Sequence, residues 1–172
     1  LIGKGQYYES STKVPLIVRL PGRETSRVHS GPISIEDITA TLLHFAGCQI
    51  PGYMDSQPLP DLGIEGSQAR EVIYGFVASG AMCYDGTWKL ARYTNGYGAL
   101  FNIEEDPAEQ RNRIHDPTCQ EIRTRLDALL NAQMLVSIYR AHQEKDHDTD
   151  WGDPVFAAGD GGWQRVYPQP MA

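Results

Sequence analysis

The hydrophobic pattern divides the chain into a first block at residues 1–62, a second block at 63–145 and a polar, irregular tail at 146–172. In the first block, residues 14–18 form an unbroken apolar run, which is typical of a strand buried on both faces in a parallel α/β sheet. Residues 34–47 then predict an amphipathic helix. One strand and one helix cannot cover each other's apolar surfaces, so we expect this block to be the end of a larger α/β domain.

The predicted helix carries recognisable start and stop signals. Ser34 can act as the N-cap with Asp37 at the capping-box spacing, and Gly47 can end the helix in a left-handed conformation. The apolar positions share one face of the helix. They are Ile35, Ile38, Leu42 and Phe45.

The second block predicts an antiparallel sheet followed by helix. Asp85-Gly86 and Asn95-Gly96 favour tight hairpin turns, so about four strands form a meander. Helix-start signals follow at Asp106-Pro107 and at Asp116-Pro117, and the second of these opens a long helix. An antiparallel sheet with one long helix on it is a small α+β subdomain. The predicted strands span residues 72–77, 81–84, 87–93 and 99–103, and the apolar ladder of the long helix is Ile122, Leu126, Leu130, Met134 and Ile138.

Composition narrows the class of protein. Of the 172 residues, 41% are hydrophobic and 22% are charged, as in ordinary globular domains. The net charge of −7 argues against a nucleic-acid surface or an anionic-membrane patch, because both require clustered Lys and Arg. No apolar run approaches the roughly 18 residues of a membrane-spanning helix, and no signal peptide opens the chain. We expect a soluble protein, with a cytoplasmic location and export both open.

The opening segment carries the clearest candidate chemistry. Lys4 lies between Gly3 and Gly5, just before the predicted buried strand, where flexible backbone lets a ligand approach closely. A Lys ammonium is a compact cation suited to one oxygen of a tetrahedral anion. On these three residues alone, a solvated loop lysine is the simpler interpretation.

A wider set of short motifs changes that interpretation, because they occur together and in a fixed order. They are Gly-Lys-Gly at residues 3–5, Tyr-Glu at 8–9, the apolar run with its Pro-Gly end at 14–22, the helix at 35–47, Thr-Trp-Lys-Leu at 87–90 and the stretch from Leu100 to Asn112. In this order they resemble the sulfatase family of the alkaline-phosphatase superfamily.

The resemblance implies a fold and a reaction. The fold is the C-terminal end of a sulfatase-like α/β sandwich, followed by the α+β subdomain. The reaction is hydrolysis of a sulfate ester, either a small molecule or a sulfated sugar, and Lys4 is the residue that contacts the sulfate.

The resemblance also implies parts that this chain lacks. Family members use a formylglycine made from the Cys or Ser of a C/S-x-P-x-R signature, which Cys48, Cys83 and Cys119 all lack. They also bind a divalent metal, usually Ca²⁺. We therefore expect the nucleophile and the metal ligands upstream of Leu1, no metal bound within this chain, and no activity from the chain alone.

Two further residues receive an expected role. Tyr97, in the loop of residues 95–98, is the aromatic side chain best placed to reach a substrate. Glu9 is expected to be structural and to pair with Lys13, four residues further on.

Two alternatives stay open. The superfamily reuses this scaffold for phosphonate and phosphate ester hydrolases. In the other alternative the chain is a non-catalytic module. Its exposed sheet edge and uncovered helix face would then lead it to form a homodimer or to associate with the missing N-terminal part.

Overall fold

The computed structural model describes residues 5–22, 26–77 and 79–146, so Lys4 and almost all of the predicted tail lie outside the described residues. The described helices are α1 (Glu9–Thr12), α2 (Asp37–Phe45) and α3 (Gln120–Asp146), and a 3₁₀ turn at Pro117–Cys119 precedes the last of them. The strands are β1 (Ile73–Val77), β2 (Gly80–Tyr84), β3 (Trp88–Tyr93) and β4 (Gly98–Asn102). Within those ranges, no helix has both the length and the apolarity needed to cross a membrane.

The strands form one antiparallel sheet in the order β1-β2-β3-β4, which confirms the predicted meander. The register places Cys83 of β2 opposite Leu90 of β3, and Leu90 opposite Leu100 of β4. Directly opposed side chains lie on the same side of a pleated sheet, so these three share one face. All three are fully buried.

The α3 helix covers this face of the sheet. Leu126 and Leu130 lie in the same buried cluster as Leu90 and Leu100. Burying one leucine side chain stabilises a fold by about 1.5–3 kcal/mol. Arg92 of β3 also forms an ion pair with Asp127 of α3, which fixes the helix across the strands. The predicted packing of one long helix on an antiparallel sheet is confirmed.

The start of α3 agrees with the prediction, but its apolar ladder is only half buried. Asp116 caps the start by accepting a hydrogen bond from the backbone N–H of Thr118 at 2.9 Å. Met134 and Ile138, predicted to continue the core, are exposed instead. This exposure follows from the length of the helix relative to the strands. The 27 residues of α3 extend about 40 Å, whereas strands of 5 or 6 residues extend about 20 Å.

The opposite face of the sheet is covered by the residues that open the described chain. Tyr7 lies there in a second buried cluster. Its partners in that cluster are Met82, Ala91, Ala99, Phe101 and Ile103. The sheet is therefore enclosed between α3 on one face and residues 5–12 on the other.

The helix predicted to start at Asp106 is wrong, and a tight turn stands there instead. The Asp106 carboxylate does accept hydrogen bonds from backbone N–H groups, those of Gln110 at 3.1 Å and Arg111 at 2.8 Å. However, Glu109 has a φ of 54°, in the left-handed region, which a right-handed helix cannot include. The expected start signal is used to cap a turn.

The first block contains its predicted helix but not its predicted strand. The helix begins at Asp37 with Glu36 at the N-cap position, so the prediction of Ser34 as N-cap is wrong. The Asp37 carboxylate accepts a hydrogen bond from the backbone N–H of Ser34 at 3.4 Å. Residues 14–18 are assigned no strand. A strand needs neighbours for its N–H and C=O groups, and none of the four described strands lies beside this segment.

Many large apolar side chains of residues 14–45 are exposed, whereas two polar side chains of α2 are buried. Ile17 is 92% exposed and Leu42 is 63% exposed, whereas Asp37 and Thr41 are buried. Asp37 accepts hydrogen bonds from Arg70 Nε at 2.7 Å and Nη2 at 2.5 Å. Polar contacts of Asp37 and Thr41 therefore hold the buried side of α2, which also contains Ala40. We call the exposed set the open apolar surface: Val14, Leu16, Ile17, Val18, Ile35, Leu42 and Phe45.

Candidate functional site

A cleft of about 430 Å³ lies beside the residues that follow Lys4. Its walls come from the opening segment, from the turn between β1 and β2, and from the turn between β3 and β4. Three tyrosines dominate it, so we call it the tyrosine cleft. Lining residues include Gly5, Gln6, Tyr8, Tyr93, Asn95 and Tyr97.

Of the two residues predicted for the site, one lines this cleft and the other directly precedes a residue that does. Tyr97 lines it directly. Lys4 lies outside the described residues, but Gly5, the next residue of the chain, lines the same cleft. The described chain therefore enters the cleft immediately after Lys4, while the roles of Lys4 and Tyr97 stay predictions.

The β3–β4 turn presents Tyr97 because of its Asn-Gly sequence. The Asn95 side-chain oxygen accepts a hydrogen bond from the backbone N–H of Tyr97 at 3.0 Å. Gly96 has a φ of 84°, a conformation that other residues adopt only with strain. The backbone N–H of Tyr93 then donates to the Tyr97 carbonyl at 3.0 Å, which closes the hairpin with the Tyr97 side chain half exposed.

Tyr93 contacts both Tyr97 at the cleft and the buried Tyr7 through its ring. The ring centroids of Tyr7 and Tyr93 lie 5.5 Å apart, and those of Tyr93 and Tyr97 lie 5.7 Å apart. Burial, and then the nearby Tyr97 hydroxyl, raise the pKa of Tyr8 above its usual value. At neutral pH its hydroxyl is therefore protonated and can donate a hydrogen bond. In the described part of the chain, no charged side chain lines this cleft.

Tyr7 fastens the opening segment to the end of the β1–β2 hairpin. Its hydroxyl donates to the Gly80 carbonyl at 2.5 Å and accepts from the Val77 backbone N–H at 2.8 Å. Both bonds join residues at least 70 positions apart in the chain. This tether holds Gly5 and Gln6 against the cleft wall.

A buried ion cluster fastens the same segment two residues later. Lys89 Nζ lies 2.7 Å from Glu9 Oε1 and 2.6 Å from Glu109 Oε1. The backbone N–H of Glu9 donates to Glu109 Oε2 at 2.5 Å. The side chains of Lys89 and Glu109 are each only 3% exposed. We call Glu9, Lys89 and Glu109 the Lys89 cluster.

The expected partner of Glu9 has the weaker contact. Lys13 Nζ lies 4.0 Å from Glu9 Oε2, and the Lys13 side chain is 77% exposed. Exposed pairs of this kind contribute between about 0 and 1 kcal/mol. The sequence did not predict the contact between Glu9 and Lys89, because the two residues are 80 positions apart. One signal was available, since strand alternation puts Lys89 on the same face as Ala91, and a lone Lys on an apolar face requires a carboxylate partner.

The remaining reactive groups do not form a site. In residues 5–22, 26–77 and 79–146, no group of three or more His, Cys, Asp or Glu side chains could hold a metal ion. Burial raises the pKa of the Cys83 thiol to about 12. The thiolate is the nucleophilic form, so this cysteine is unreactive at neutral pH. Cys119 is also buried and free.

Comparison with known proteins finds one family model and several relatives. The model for the C-terminal region of N-sulphoglucosamine sulphohydrolase matches residues 2–135. Arylsulfatase K of Xenopus laevis is 27% identical over 127 residues, which cover 63% of this chain and 24% of that protein. An arylsulfatase of Clostridium perfringens is 32% identical over 136 residues, which cover 73% of this chain and 28% of that protein. The chain thus spans about a quarter of the length of these relatives.

Solved structures agree in fold. BT1596, a 2-O GAG sulfatase, matches with a TM-score of 0.53 and 24% identity, covering 61% of this chain and 26% of that chain. BT4656, solved in complex with its substrate D-glucosamine-2-N,6-O-disulfate, matches with a TM-score of 0.50 and 22% identity, covering 68% of this chain and 25% of that chain. Since the family model covers more than half of the sequence, the chain belongs to the sulfatase family and corresponds to its C-terminal portion.

Proposed function

We propose that the protein containing this chain is a sulfatase that hydrolyses sulfate esters of sugars. The observation that carries the proposal is the family match over residues 2–135, a range that includes Lys4 and all the motifs described above. Within that reaction, this chain supplies one cation for the sulfate and one wall of the substrate cleft.

Lys4 is the proposed cation. As the bond between sulfur and the leaving oxygen breaks, negative charge builds on the sulfuryl oxygens and on the leaving oxygen. An ammonium group already in place stabilises that charge without reorganising. The position of Gly5 in the cleft wall supports this role, because the chain reaches the cleft at the residue that follows Lys4.

The nucleophile and the metal belong to other parts of the protein in this proposal. A formylglycine hydrate would attack sulfur, and Ca²⁺ would polarise the sulfate. The described residues offer no group that fits a metal ion, so no step through the metal is assigned to this chain.

The tyrosine cleft favours a sugar as the alcohol part of the substrate. Tyrosine rings offer an apolar face to a sugar ring and a hydroxyl that hydrogen-bonds its polar groups. Tyr97 is half exposed at the cleft, and Tyr8 and Tyr93 lie beside it. The substrate bound by BT4656, a sulfated glucosamine, is of this chemical class.

The open apolar surface is proposed to pack on the rest of the sulfatase fold. The chain spans only 24% and 28% of the two relatives, so most of such a fold lies outside it. Apolar side chains exposed in this number on an isolated chain often mark an interface. Residues 1–62 are then the end of the large α/β domain, and residues 63–145 are the subdomain attached to it.

The proposal is tested on the full-length natural protein that contains this sequence. We expect release of inorganic sulfate from sulfated glucosamine and from an aryl sulfate, with slower turnover of an aryl phosphonate. Faster turnover of the phosphonate, or no sulfate release above background, would overturn the proposal.

A second experiment isolates Lys4. Lys4→Ala should lower kcat/KM for sulfate hydrolysis about 100- to 1000-fold, as when one oxyanion donor is removed. Lys13→Ala is the matched control, because Lys13 is a lysine of the same segment with a largely exposed side chain. It should leave kcat/KM within about twofold of the wild-type value. Equal losses in both variants would count against a specific role for Lys4.

A further inference from the structure

The Lys89 cluster joins three parts of the chain that are far apart in sequence. Glu9 belongs to the opening segment, Lys89 to β3, and Glu109 to the turn after β4. Lys89 contacts a carboxylate oxygen of each partner within 2.7 Å. A further bond, from the Glu9 backbone N–H to Glu109, fixes the main chain of the opening segment and not only its side chain.

A buried ion cluster of this kind is unusual where its only role is to stabilise the fold. Breaking a buried pair is costly, but replacing one by apolar residues of similar volume is often neutral or stabilising. Stability alone therefore does not explain a lysine and two carboxylates at this place. Some buried ionic groups instead specify one geometry among several.

The backbone of Glu109 also indicates that the cluster fixes one particular geometry. Its φ of 54° lies in a region that residues other than glycine occupy only with strain. Such conformations persist where the surrounding structure fixes them, and they concentrate near functional sites. Here the strained residue is the one that holds both the Lys89 ammonium and the Glu9 main chain.

The opening segment is thus fixed at two points that enclose Tyr8. Tyr7 is bonded to Val77 and Gly80, and Glu9 is bonded to Lys89 and Glu109. One attachment point would let the segment pivot, whereas two define its direction. Lys4 comes five residues before Glu9 in the sequence and directly before Gly5, which lines the tyrosine cleft.

We propose that Lys89 is a positioning residue for Lys4, acting by fixing the segment that carries it. This inference rests on the proposed function, in which Lys4 contacts the sulfate. Lys89 touches no substrate in this scheme. It pairs with Glu9 and Glu109 and thereby sets where the opening segment enters the cleft.

The test is a double-mutant cycle in the full-length protein. Steady-state hydrolysis of an aryl sulfate is compared for the wild type, Lys4→Ala, Lys89→Met and the double variant. We expect Lys89→Met to lower kcat about 10- to 100-fold with a smaller change in KM, because a shift of about 1 Å in a catalytic group has effects of that size. In the Lys4→Ala background, the same change should alter kcat by no more than about twofold.

Arg92→Met is the matched control. Arg92 lies three residues further along β3, and its ion pair is with Asp127 of α3, on the opposite face of the sheet. Arg92→Met should lower the melting temperature and leave kcat within about twofold in both backgrounds. An equal loss of kcat from Lys89→Met in both backgrounds overturns the inference, and so does the same coupling from Arg92→Met.

A second readout separates this inference from the proposed function. Amide hydrogen exchange of Gln6, Tyr7 and Tyr8 should rise at least tenfold in Lys89→Met, while β2 and β3 stay protected. Unchanged exchange at these amides overturns the inference whether or not the protein hydrolyses sulfate. Failure of the wild type to release sulfate overturns the proposed function alone. If Lys89→Met does not fold, Glu109→Gln, which keeps the contact between Lys89 and Glu9, is judged by the same two criteria.

Discussion

The two blocks of this chain bury their apolar residues in opposite ways. In the second block, Leu90, Leu100 and Leu126 are fully buried between the sheet and α3. In the first block, Ile17 and Leu42 are exposed, and the buried side of α2 consists of Asp37, Ala40 and Thr41. The comparison teaches that a local pattern identifies a helix, whereas the face that the helix buries depends on what lies beside it. The second block carries its partners within itself, whereas no described residue covers the exposed apolar side chains of the first block.

The largest expected effect tests this difference directly. In the full-length protein, Leu126→Ala should lower the free energy of unfolding by about 2–5 kcal/mol, because it leaves a cavity in a packed core. If the open apolar surface is covered there, Leu42→Ala should also cost about 2 kcal/mol or more. Urea titration followed by tryptophan fluorescence measures both. A cost below about 0.5 kcal/mol for Leu42→Ala would show that the surface is uncovered in the whole protein.

A smaller effect is expected when one glycine of each block is replaced by alanine. Gly96 and Gly22 both have positive φ, 84° and 72°, and an added Cβ would meet no atom within 4 Å at either position. Gly96 closes the hairpin between two paired strands, so Gly96→Ala should cost about 1–2 kcal/mol. Gly22 follows unpaired backbone that can shift, so Gly22→Ala should cost less than about 0.5 kcal/mol. Equal shifts in urea midpoint would mean that the two segments are equally constrained.

The smallest effect depends on pH and concerns the start of α3. Hydrogen bonds from the Thr118 hydroxyl and the Arg113 guanidinium lower the pKa of the Asp116 carboxyl to about 2. A lowered folded-state pKa gives stability that is present above the unfolded value, 3.8, and lost as the pH falls through about 2. The difference in melting temperature between wild type and Asp116→Asn should therefore be constant above about pH 5 and should shrink between pH 4 and pH 2. A difference that stays constant down to pH 2 would contradict this account.

Most of the second block could be predicted from the sequence because its determinants are local. Asn95-Gly96 forms the expected turn, and Asp116 caps the expected helix. The helix expected at Asp106 failed for an equally local reason. The same capping side chain serves a turn or a helix, and the left-handed Glu109 decides between them.

The candidate site was predicted only in part. The position of Tyr97 at the cleft could be predicted from its loop, because an exposed aromatic in a hairpin turn is a local feature, and its substrate role stays a prediction. The tether of Tyr7 and the Lys89 cluster were not found, since their partners lie 70 to 100 residues away. No window of sequence contains both ends of such a contact. The extent of burial along α3 was missed for a similar reason. It depends on the size of a sheet whose strands lie elsewhere in the chain.

The enclosure of the sheet between α3 and residues 5–12 has a consequence for the order of events during synthesis. The opening segment is made before the sheet, but its bonds to Val77 and Glu109 need residues made 70 and 100 positions later. At about 5–20 residues per second, Glu9 waits roughly 5–20 s for Glu109 to be added to the chain. The partners of Tyr7, and Lys89, are added within that interval, but the bond from the Glu9 backbone to Glu109 can form only at its end. The opening segment can therefore be fixed at both of its attachment points only after all four strands of the sheet have been made.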